Sequence, residues 1–265
     1  MQMYIFAIVH VEGIIMKASK RNKKAIEYII YIFVIALLVT GIYWYGMNKN
    51  SKDGLKAALD KHEVLIDYFI EEPLAYALVS KAGNAEYGDF FVVFDRNQRG
   101  FTRIYENDFK QLKPWKIEVA DIDGDNYNEI LIAVKKATYF DKEVKNRMFI
   151  FNYQDDILVK KWTGSQIAGR WREFYVGDFL PIPGEELIFI QQQDDGKERI
   201  SIYSWFDFGF FMIANSDGYH KIEEINIIDE NNLEVTYYIL GNGKKRHEES
   251  HSLEAIDGRL LIKKD

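Results

Sequence analysis

Short apolar runs recur through most of the chain after residue 75. They are rich in β-branched and aromatic side chains and are separated by turn-forming residues. This pattern is typical of β-strands and predicts an all-β domain over 75–265. The predicted strands are FFVVF (90–94), FTRIY (101–105), KIEVA (116–120), ILIAV (130–134), RMFIF (147–151), LIFIQ (187–191), RISIY (199–203), VTYYI (235–239) and RLLIK (259–263).

A different pattern precedes this domain, because residues 28–47 contain no charged side chain. A helix of about twenty residues is roughly 30 Å long, which matches the hydrocarbon core of a bilayer. A basic cluster, KASKRNKK (17–24), comes before it. The positive-inside rule then predicts a cytoplasmic N-terminus over 1–24, one transmembrane helix over 25–47 and an extracytoplasmic C-terminal domain. We therefore expect the membrane as a partner and the cell membrane as the location.

A cleavable signal peptide is the alternative interpretation of this segment. Its apolar region would be about 7–15 residues long and would end at small residues. The run here is longer and ends in the bulky sequence GIYWYGM (41–47), which favours an uncleaved signal-anchor. The apolar stretch 1–15 ahead of Met16 is interpreted as a start-site artefact, with a short interfacial segment as the alternative.

Residues 51–70 show apolar positions at helical spacing, including Leu55, Leu59 and Phe69. The spacing predicts a linking helix within 48–74 that ends before Pro73. His62 falls on the apolar stripe, where a packed histidine is more common than a metal ligand.

The β-rich part contains an internal repeat. The units KIEVADIDGDNYNEILIAV (116–134) and EFYVGDFLPIPGEELIFIQ (173–191) each read as a strand, a loop and a strand. In both units an acidic residue precedes a glutamate by eight positions, and a third unit (222–239) and a fainter one ending at Asp89 follow the same plan. The units are spaced at about the length of a propeller blade, 40–50 residues. The paired positions are Asp121 and Glu129, Asp178 and Glu186, and Asn226 and Glu234.

The loop DIDGDNYNE (121–129) is the sharpest candidate site. Asp121, Asp123, Asp125 and Glu129 occupy loop positions 1, 3, 5 and 9, and Tyr127 at position 7 can offer its carbonyl oxygen. Ca²⁺ prefers six to eight oxygen ligands of this kind. The alternative is an acidic turn with solvated carboxylates. An EF-hand is excluded because position 12 is isoleucine and predicted strands flank the loop.

These residues resemble the FG-GAP or VCBS-type repeats of integrin-α-like β-propellers and bacterial surface proteins. The resemblance covers about 75–265, but only 116–134 carries the full motif. It implies a β-propeller-like fold of about four tandem antiparallel blades, with Ca²⁺ bound by the five residues of the 121–129 loop. Asn126 stands where glycine is usual, and the Phe-Gly and Gly-Ala-Pro signatures are missing, so integrin-like ligand recognition is not implied. The copies at 178–186 and 226–234 lack the middle carboxylates and are expected to be metal-free.

Composition narrows the possible partners. The chain has no cysteine, which excludes disulfides and cysteine-based catalysis or metal binding. Acidic residues outnumber basic ones by 41 to 34, giving a net charge of −7. An acidic domain repels phosphate backbones, so we expect no nucleic-acid partner.

Two further patterns have the residue types of functional sites. HEESH (247–251) matches the zinc-protease motif H-E-x-x-H, but its polar surroundings favour a solvated hairpin arm over a buried catalytic helix. The aromatic run SIYSWFDFGFFM (201–212) is interpreted as core packing, with a ligand platform as the alternative.

The sequence predicts a membrane-tethered, calcium-binding module without catalysis, which binds or scaffolds a protein or glycan partner at the cell envelope. One alternative is a carbohydrate-active or other hydrolytic propeller enzyme that uses paired carboxylates. Another is a partial propeller that a partner subunit completes.

Overall fold

The computed structural model describes residues 28–38, 52–82, 86–97, 100–163, 167, 169–229, 232–240 and 246–262. The chain divides into two compact units, Met1–Ala57 and Ala58–Asp265. In the first unit, the described helices cover 28–38 and 52–57. The second unit contains the sixteen described strands.

No described helix combines the length and the apolar character needed to cross a bilayer. The helix over 28–38 has eleven described residues, whereas a span needs about twenty. This finding contradicts the predicted single span over 25–47. It also contradicts the predictions that depend on that span, namely the membrane as a partner and a cell-membrane location with an extracytoplasmic domain. Residues 1–27 and 39–51, which include both ends of the predicted span, lie outside the described residues.

The predicted linking helix over 48–74 is also wrong in its second half. Residues 52–57 are helical, but Val64–Glu71 forms a strand that pairs antiparallel with Leu74–Ser80. The apolar residues of 64–70 fit both a helical and an extended spacing. Pairing with the next strand therefore decides the structure, as tertiary contacts commonly do for short segments.

The strands form four consecutive antiparallel meanders. The first consists of β1 (Val64–Glu71), β2 (Leu74–Ser80), β3 (Phe90–Asn97) and β4 (Gly100–Asp108). The second consists of β5 (Pro114–Ala120), β6 (Glu129–Lys136), β7 (Lys145–Gln154) and β8 (Ile157–Thr163). The third consists of β9 (Arg170–Gly177), β10 (Glu186–Gln192), β11 (Glu198–Phe206) and β12 (Gly209–Ser216). The fourth consists of β13 (Lys221–Asp229), β14 (Asn232–Leu240), β15 (Arg246–Ile256) and β16 (Arg259–Ile262).

The sheets do not correspond to the predicted four propeller blades. The first and second meanders form separate four-stranded sheets, but the third and fourth join into one eight-stranded sheet. The junction is a short parallel pairing of β12 with β16, in which Asn215 lies opposite Arg259 and Ser216 opposite Leu260. The prediction of about four separate blades is therefore corrected to sheets of four, four and eight strands.

Three apolar cores stack between successive meanders. On β6, Ile130 and Ile132 pack towards the first meander, whereas Leu131 and Ala133 pack towards the third. β10 divides its side chains in the same way between the second and third cores. Because both faces of these strands are buried, they read as continuous apolar runs instead of alternating ones.

The first strands of the meanders lie side by side. The backbone N–H of Ile117 on β5 donates to Asp67 Oδ2 on β1, at 2.9 Å. The ammonium of Lys116 lies 2.9 Å from Glu173 Oε1 on β9 and donates to the carbonyl of Phe174 at 2.6 Å. These polar contacts link β5 to β1 and to β9, and each of the three is a terminal strand of its sheet.

Candidate functional site

The predicted acidic loop connects β5 to β6, and Asp121 organises it. Asp121 Oδ1 accepts the backbone N–H groups of Gly124 and Asp125 at 2.8 and 3.1 Å, and its Oδ2 accepts that of Asn126 at 2.8 Å. Asn126 has a φ of 67°, a left-handed conformation that asparagine tolerates better than most residues. The loop is therefore a tight turn closed by one carboxylate.

Three of the predicted ligands converge. Oxygen atoms of Asp121, Asp123 and Glu129 lie within 4.8 Å of one another. Glu129 is buried, and its Oε2 accepts the backbone N–H of Ile122 at 3.1 Å. Its Oε1 accepts from the side-chain amide of Asn152 at 2.9 Å. This cluster is a candidate cation site.

A lysine ammonium already lies in this cluster. Lys161 Nζ on β8 lies 2.7 Å from Glu129 Oε1 and 2.5 Å from Asp123 Oδ2. Burial lowers the pKa of Lys161, but its hydrogen bonds to Asp123 and Glu129 outweigh that effect, and the net pKa is raised. For Glu129 the effect of burial is the larger one. Burial raises its pKa, and the hydrogen bonds from Lys161 and from the Ile122 N–H lower it only in part, so the net pKa is raised. Lys161 thus supplies positive charge where a metal ion would.

The remaining predicted ligands lie outside the cluster of three. Asp125 is exposed and its Oδ1 accepts the backbone N–H of Tyr127 at 2.8 Å. The side chain of Tyr127 is also exposed. The carboxylates of Asp121, Asp123 and Glu129 fit a hard cation in chemistry and spacing. Ca²⁺ at this loop stays a prediction, with the added condition that the ion must displace the ammonium of Lys161.

The degenerate copy at 178–186 folds like the first loop, but no described cationic side chain pairs with its glutamate. Glu186 is fully buried, and its Oε2 accepts the backbone N–H groups of Phe179 and Leu180, both at 2.9 Å. Its Oε1 is buried without a hydrogen-bond partner among the described residues. Burial raises the pKa of Glu186 to about 7.

The two loops interlock. The backbone N–H of Glu185 donates to the carbonyl of Asp121 at 2.7 Å. Gly184 approaches so closely that a Cβ atom built on it would lie 2.5 Å from the carbonyl oxygen of Ile122. The conformation of the 121–129 loop is therefore stabilised by contacts with the 178–186 loop as well as by the hydrogen bonds of Asp121.

The third predicted copy is not a loop of this kind. Asn226 on β13 lies directly opposite Glu234 on β14, and the strands pair as far as Asp229 and Asn232. The spacing of eight residues here spans a short hairpin, so the predicted equivalence of 226–234 with 121–129 is wrong.

The zinc-protease pattern lies on a strand. His247 and His251 both belong to β15, opposite Ile239 and Val235 of β14. Four residues of extended chain separate them by about 13 Å, whereas residues four apart on a helix have Cβ atoms only about 6 Å apart. The structure does not provide the helix on which H-E-x-x-H zinc chemistry depends.

The aromatic run 201–212 forms the β11–β12 hairpin and divides between core and surface. Phe210 is buried and packs edge-on against Trp162 of β8 and Trp205, with ring centroids 5.1 Å apart in both pairs. Phe206, Phe208 and Phe211 are 68%, 81% and 62% exposed. The interpretation as core packing alone is therefore incomplete.

A groove of about 600 Å³ lies between this hairpin and β8. It is lined by Lys160–Thr163 on one side and Phe206–Phe211 on the other. The Lys161 ammonium lies 5.5 Å from the centroid of the Trp205 ring. One lysine therefore contacts both the acidic cluster and the base of the aromatic hairpin.

A second concave site, of about 550 Å³, lies where β1, β5 and β9 approach one another. Sequence patterns did not single it out, because its residues come from β1, β5, β6, β7, β9 and the loop before β3. It is lined by Val64, Leu65, Ile66, Glu86, Tyr87, Trp115, Lys135, Asn146 and Arg172.

Comparisons with known proteins show no family for this chain. No protein-family model and no curated protein matches the sequence. The solved structures that resemble it include a protein of Bacteroides uniformis provisionally assigned as a 6-phosphogluconolactonase, at 10% identity and a TM-score of 0.46. The match covers 76% of this chain and 53% of that one, so the chain spans about half of its length. Another is a protein related to the type IV secretion system of Xanthomonas, at 10% identity and a TM-score of 0.31, covering 78% of this chain and 96% of that one. Neither structure is an FG-GAP or VCBS repeat protein, and the predicted resemblance to those repeats stays untested.

Proposed function

We propose that this chain is a non-catalytic binding module that captures an extended, apolar peptide segment of another protein. The observation that carries the proposal is the exposure of Phe206, Phe208 and Phe211 on one hairpin beside a groove. Exposed aromatic side chains clustered next to a concavity are typical of protein interaction sites.

The rigidity of the hairpin supports this role. Phe210 anchors it to β8 through an edge-on contact with Trp162 at 5.1 Å, while Phe206 packs edge-on against Phe211 at 5.6 Å. Anchored aromatic side chains lose little conformational entropy when a partner covers them. The exposed aromatic side chains are therefore already ordered in a conformation in which a partner can bind them.

β8 offers a complementary feature on the other side of the groove. It is the last strand of its sheet, and its outer residues Ile157 and Val159 are exposed. An edge strand presents unpaired backbone groups to which an extended peptide can add. The exposed Lys160 suits an acidic side chain in such a peptide.

The alternative of a hydrolytic enzyme has less support from the acidic loops. Glu129 and Glu186 have raised pKa values, as catalytic acids often do. Both side chains, however, are fully buried and accept backbone N–H groups of their own loops. Their pKa shifts are explained by burial within the hairpins.

Peptide selection on the full-length protein tests the proposal. A random peptide library is selected against the purified chain, and the affinities of the enriched peptides are measured by fluorescence anisotropy. We expect extended peptides with aromatic or aliphatic residues, and Phe208→Asp should weaken their binding by about tenfold or more. Phe140→Asp is the matched control, because Phe140 is 95% exposed but does not line the groove. Failure to enrich peptides, equal binding by both variants, or a stable dimer that occupies the groove would overturn the proposal.

A further inference from the structure

The cavity lined by Trp115 and Asn146 differs in chemistry from the aromatic groove and shares no residue with it. Its volume of about 550 Å³ falls in the range of about 300–1,000 Å³ that is common for small-molecule sites. Val64, Leu65 and Ile66 of β1 form an aliphatic wall, and the other lining residues are polar, charged or aromatic. This combination is characteristic of sites for amphipathic small molecules.

Two residues at the cavity carry polar atoms without partners. The indole N–H of Trp115 and the amide Oδ1 of Asn146 are buried and have no hydrogen-bond partner among the described residues. Buried polar groups in native proteins are almost always satisfied by protein, water or ligand. The indole N–H of Trp115 therefore calls for an acceptor, and the amide oxygen of Asn146 calls for a donor.

Both residues are held in place by Trp171. The side-chain amide of Asn146 donates to the carbonyl of Trp171 at 2.9 Å, which fixes the direction of its Oδ1. The ring of Trp115 packs against that of Trp171 with centroids 6.1 Å apart. The site is thus organised before any ligand arrives, which lowers the entropic cost of binding.

Among the described charged residues that line the cavity, one cation has no ion-pair partner. Arg172 is committed to Glu198 through two hydrogen bonds, Nε to Oε1 at 2.6 Å and Nη2 to Oε2 at 2.9 Å. Lys135 lines the cavity, and no described carboxylate lies within ion-pair distance of its ammonium. Glu86 is exposed, and its Oε1 accepts a hydrogen bond from the hydroxyl group of Tyr87 at 2.8 Å. The same carboxylate can also accept a hydrogen bond from a ligand hydroxyl group.

We infer that this cavity binds a small acidic saccharide, a one- or two-ring sugar that carries a carboxylate. A sugar carries several hydroxyl groups, each of which can accept or donate, so it can supply an acceptor for Trp115 and a donor for Asn146. The carboxylate pairs with Lys135, and the apolar face of a sugar ring packs against the indole of Trp115 and the aliphatic wall of β1.

Binding of glucuronic acid to the full-length protein, measured by calorimetry and tryptophan fluorescence, tests this inference, with glucose as the neutral comparison. We expect saturable binding of glucuronic acid at millimolar or lower concentration and about tenfold weaker binding of glucose. Lys135→Gln should remove the preference for the acid, whereas Lys110→Gln, at an exposed lysine outside the cavity, should not. Trp115→Phe and Asn146→Ala should each weaken binding of both sugars, with circular dichroism confirming that the variants fold.

Three outcomes would overturn the inference. They are no binding of glucuronic acid up to about 50 mM, binding that Trp115→Phe and Asn146→Ala leave unchanged, and equal affinity for both sugars. The first of these would mean that ordered water alone satisfies the two polar atoms. None of them affects the peptide groove, which Phe208→Asp tests separately.

Discussion

Glu129 and Glu186 occupy equivalent positions at the starts of β6 and β10, but only Glu129 has a cationic partner. Each carboxylate is fully buried and accepts a backbone N–H from seven residues earlier in its own loop. Lys161 and Asn152 complete the hydrogen bonds of Glu129, whereas one oxygen of Glu186 has no partner among the described residues. The same hairpin geometry therefore places one carboxylate in an ion pair and leaves the other with a strongly raised pKa.

Glu186→Gln should make the protein more stable at alkaline pH. The folded-state pKa of Glu186 is about 7, above its usual value of 4.5. Between these values the folded state holds a proton that the unfolded state has released, so this residue's contribution to the free energy of unfolding falls as pH rises. Glutamine keeps an oxygen for the N–H groups of Phe179 and Leu180 and does not ionise. The variant should exceed the wild type by roughly 3 kcal/mol at pH 8 and by little at pH 4.5.

Urea denaturation between pH 4.5 and pH 8 measures this difference. Asp194→Asn is the control, because Asp194 is an exposed acid and its replacement should change stability equally little at both pH values. A difference between Glu186→Gln and wild type that does not grow with pH would contradict the prediction.

Lys161→Gln should destabilise the protein by about 2–4 kcal/mol, because it leaves buried Glu129 without its counter-charge. Lys160→Gln is the matched control, since Lys160 is the exposed neighbour of Lys161 on β8. Adding Glu129→Gln to Lys161→Gln should recover part of the loss by removing the uncompensated charge. Equal stability of the two lysine variants in chemical denaturation would show that the ion pair contributes little.

Calcium binding should be stronger in Lys161→Gln than in the wild type. The ammonium lies 2.5 and 2.7 Å from two of the oxygens that a metal ion would use, so it competes with the ion. Removing it leaves Asp121, Asp123 and Glu129 to bind Ca²⁺. Calorimetric titration of both proteins with CaCl₂ measures the effect, and Asp123→Ala in the Lys161→Gln background should abolish it. If neither the wild type nor Lys161→Gln binds calcium, the loop is a turn that Lys161 closes and not a metal site.

Sequence patterns predicted the strands better than their assembly. The nine predicted apolar runs lie in strands as far as the structure describes them. ILIAV on β6 and LIFI (187–190) on β10 are continuously apolar because both faces of these strands are buried. The joining of β12 to β16 depends on only two residue pairs far apart in sequence, and no local pattern encodes them.

The candidate site was predictable only in part. The acidic residues of 121–129 lie within one loop, so their spacing showed that they could meet. Lys161 comes from a strand more than thirty residues later, and its contact with Glu129 depends on how β8 packs. The cavity residues Trp115 and Asn146 are likewise brought together by separate strands. Local periodicity carries no information on such contacts.

Gly184→Ala should destabilise the protein more than Gly196→Ala. Both glycines have a left-handed φ, 91° at Gly184 and 81° at Gly196, so the backbone strain of an alanine is similar at the two positions. They differ in surroundings, because a Cβ at Gly184 would lie 2.5 Å from the carbonyl oxygen of Ile122, while nothing lies within 4 Å of one at Gly196.

Relief of this contact requires the 178–186 loop to move away from the 121–129 loop, which breaks the hydrogen bond from Glu185 N–H to the Asp121 carbonyl. We expect a loss of about 1 kcal/mol for Gly196→Ala and about 3 kcal/mol or more for Gly184→Ala. Chemical denaturation of the two variants gives the comparison directly. Similar losses would mean that the loops separate at little cost, and the interlock would then not be what holds the acidic cluster in place.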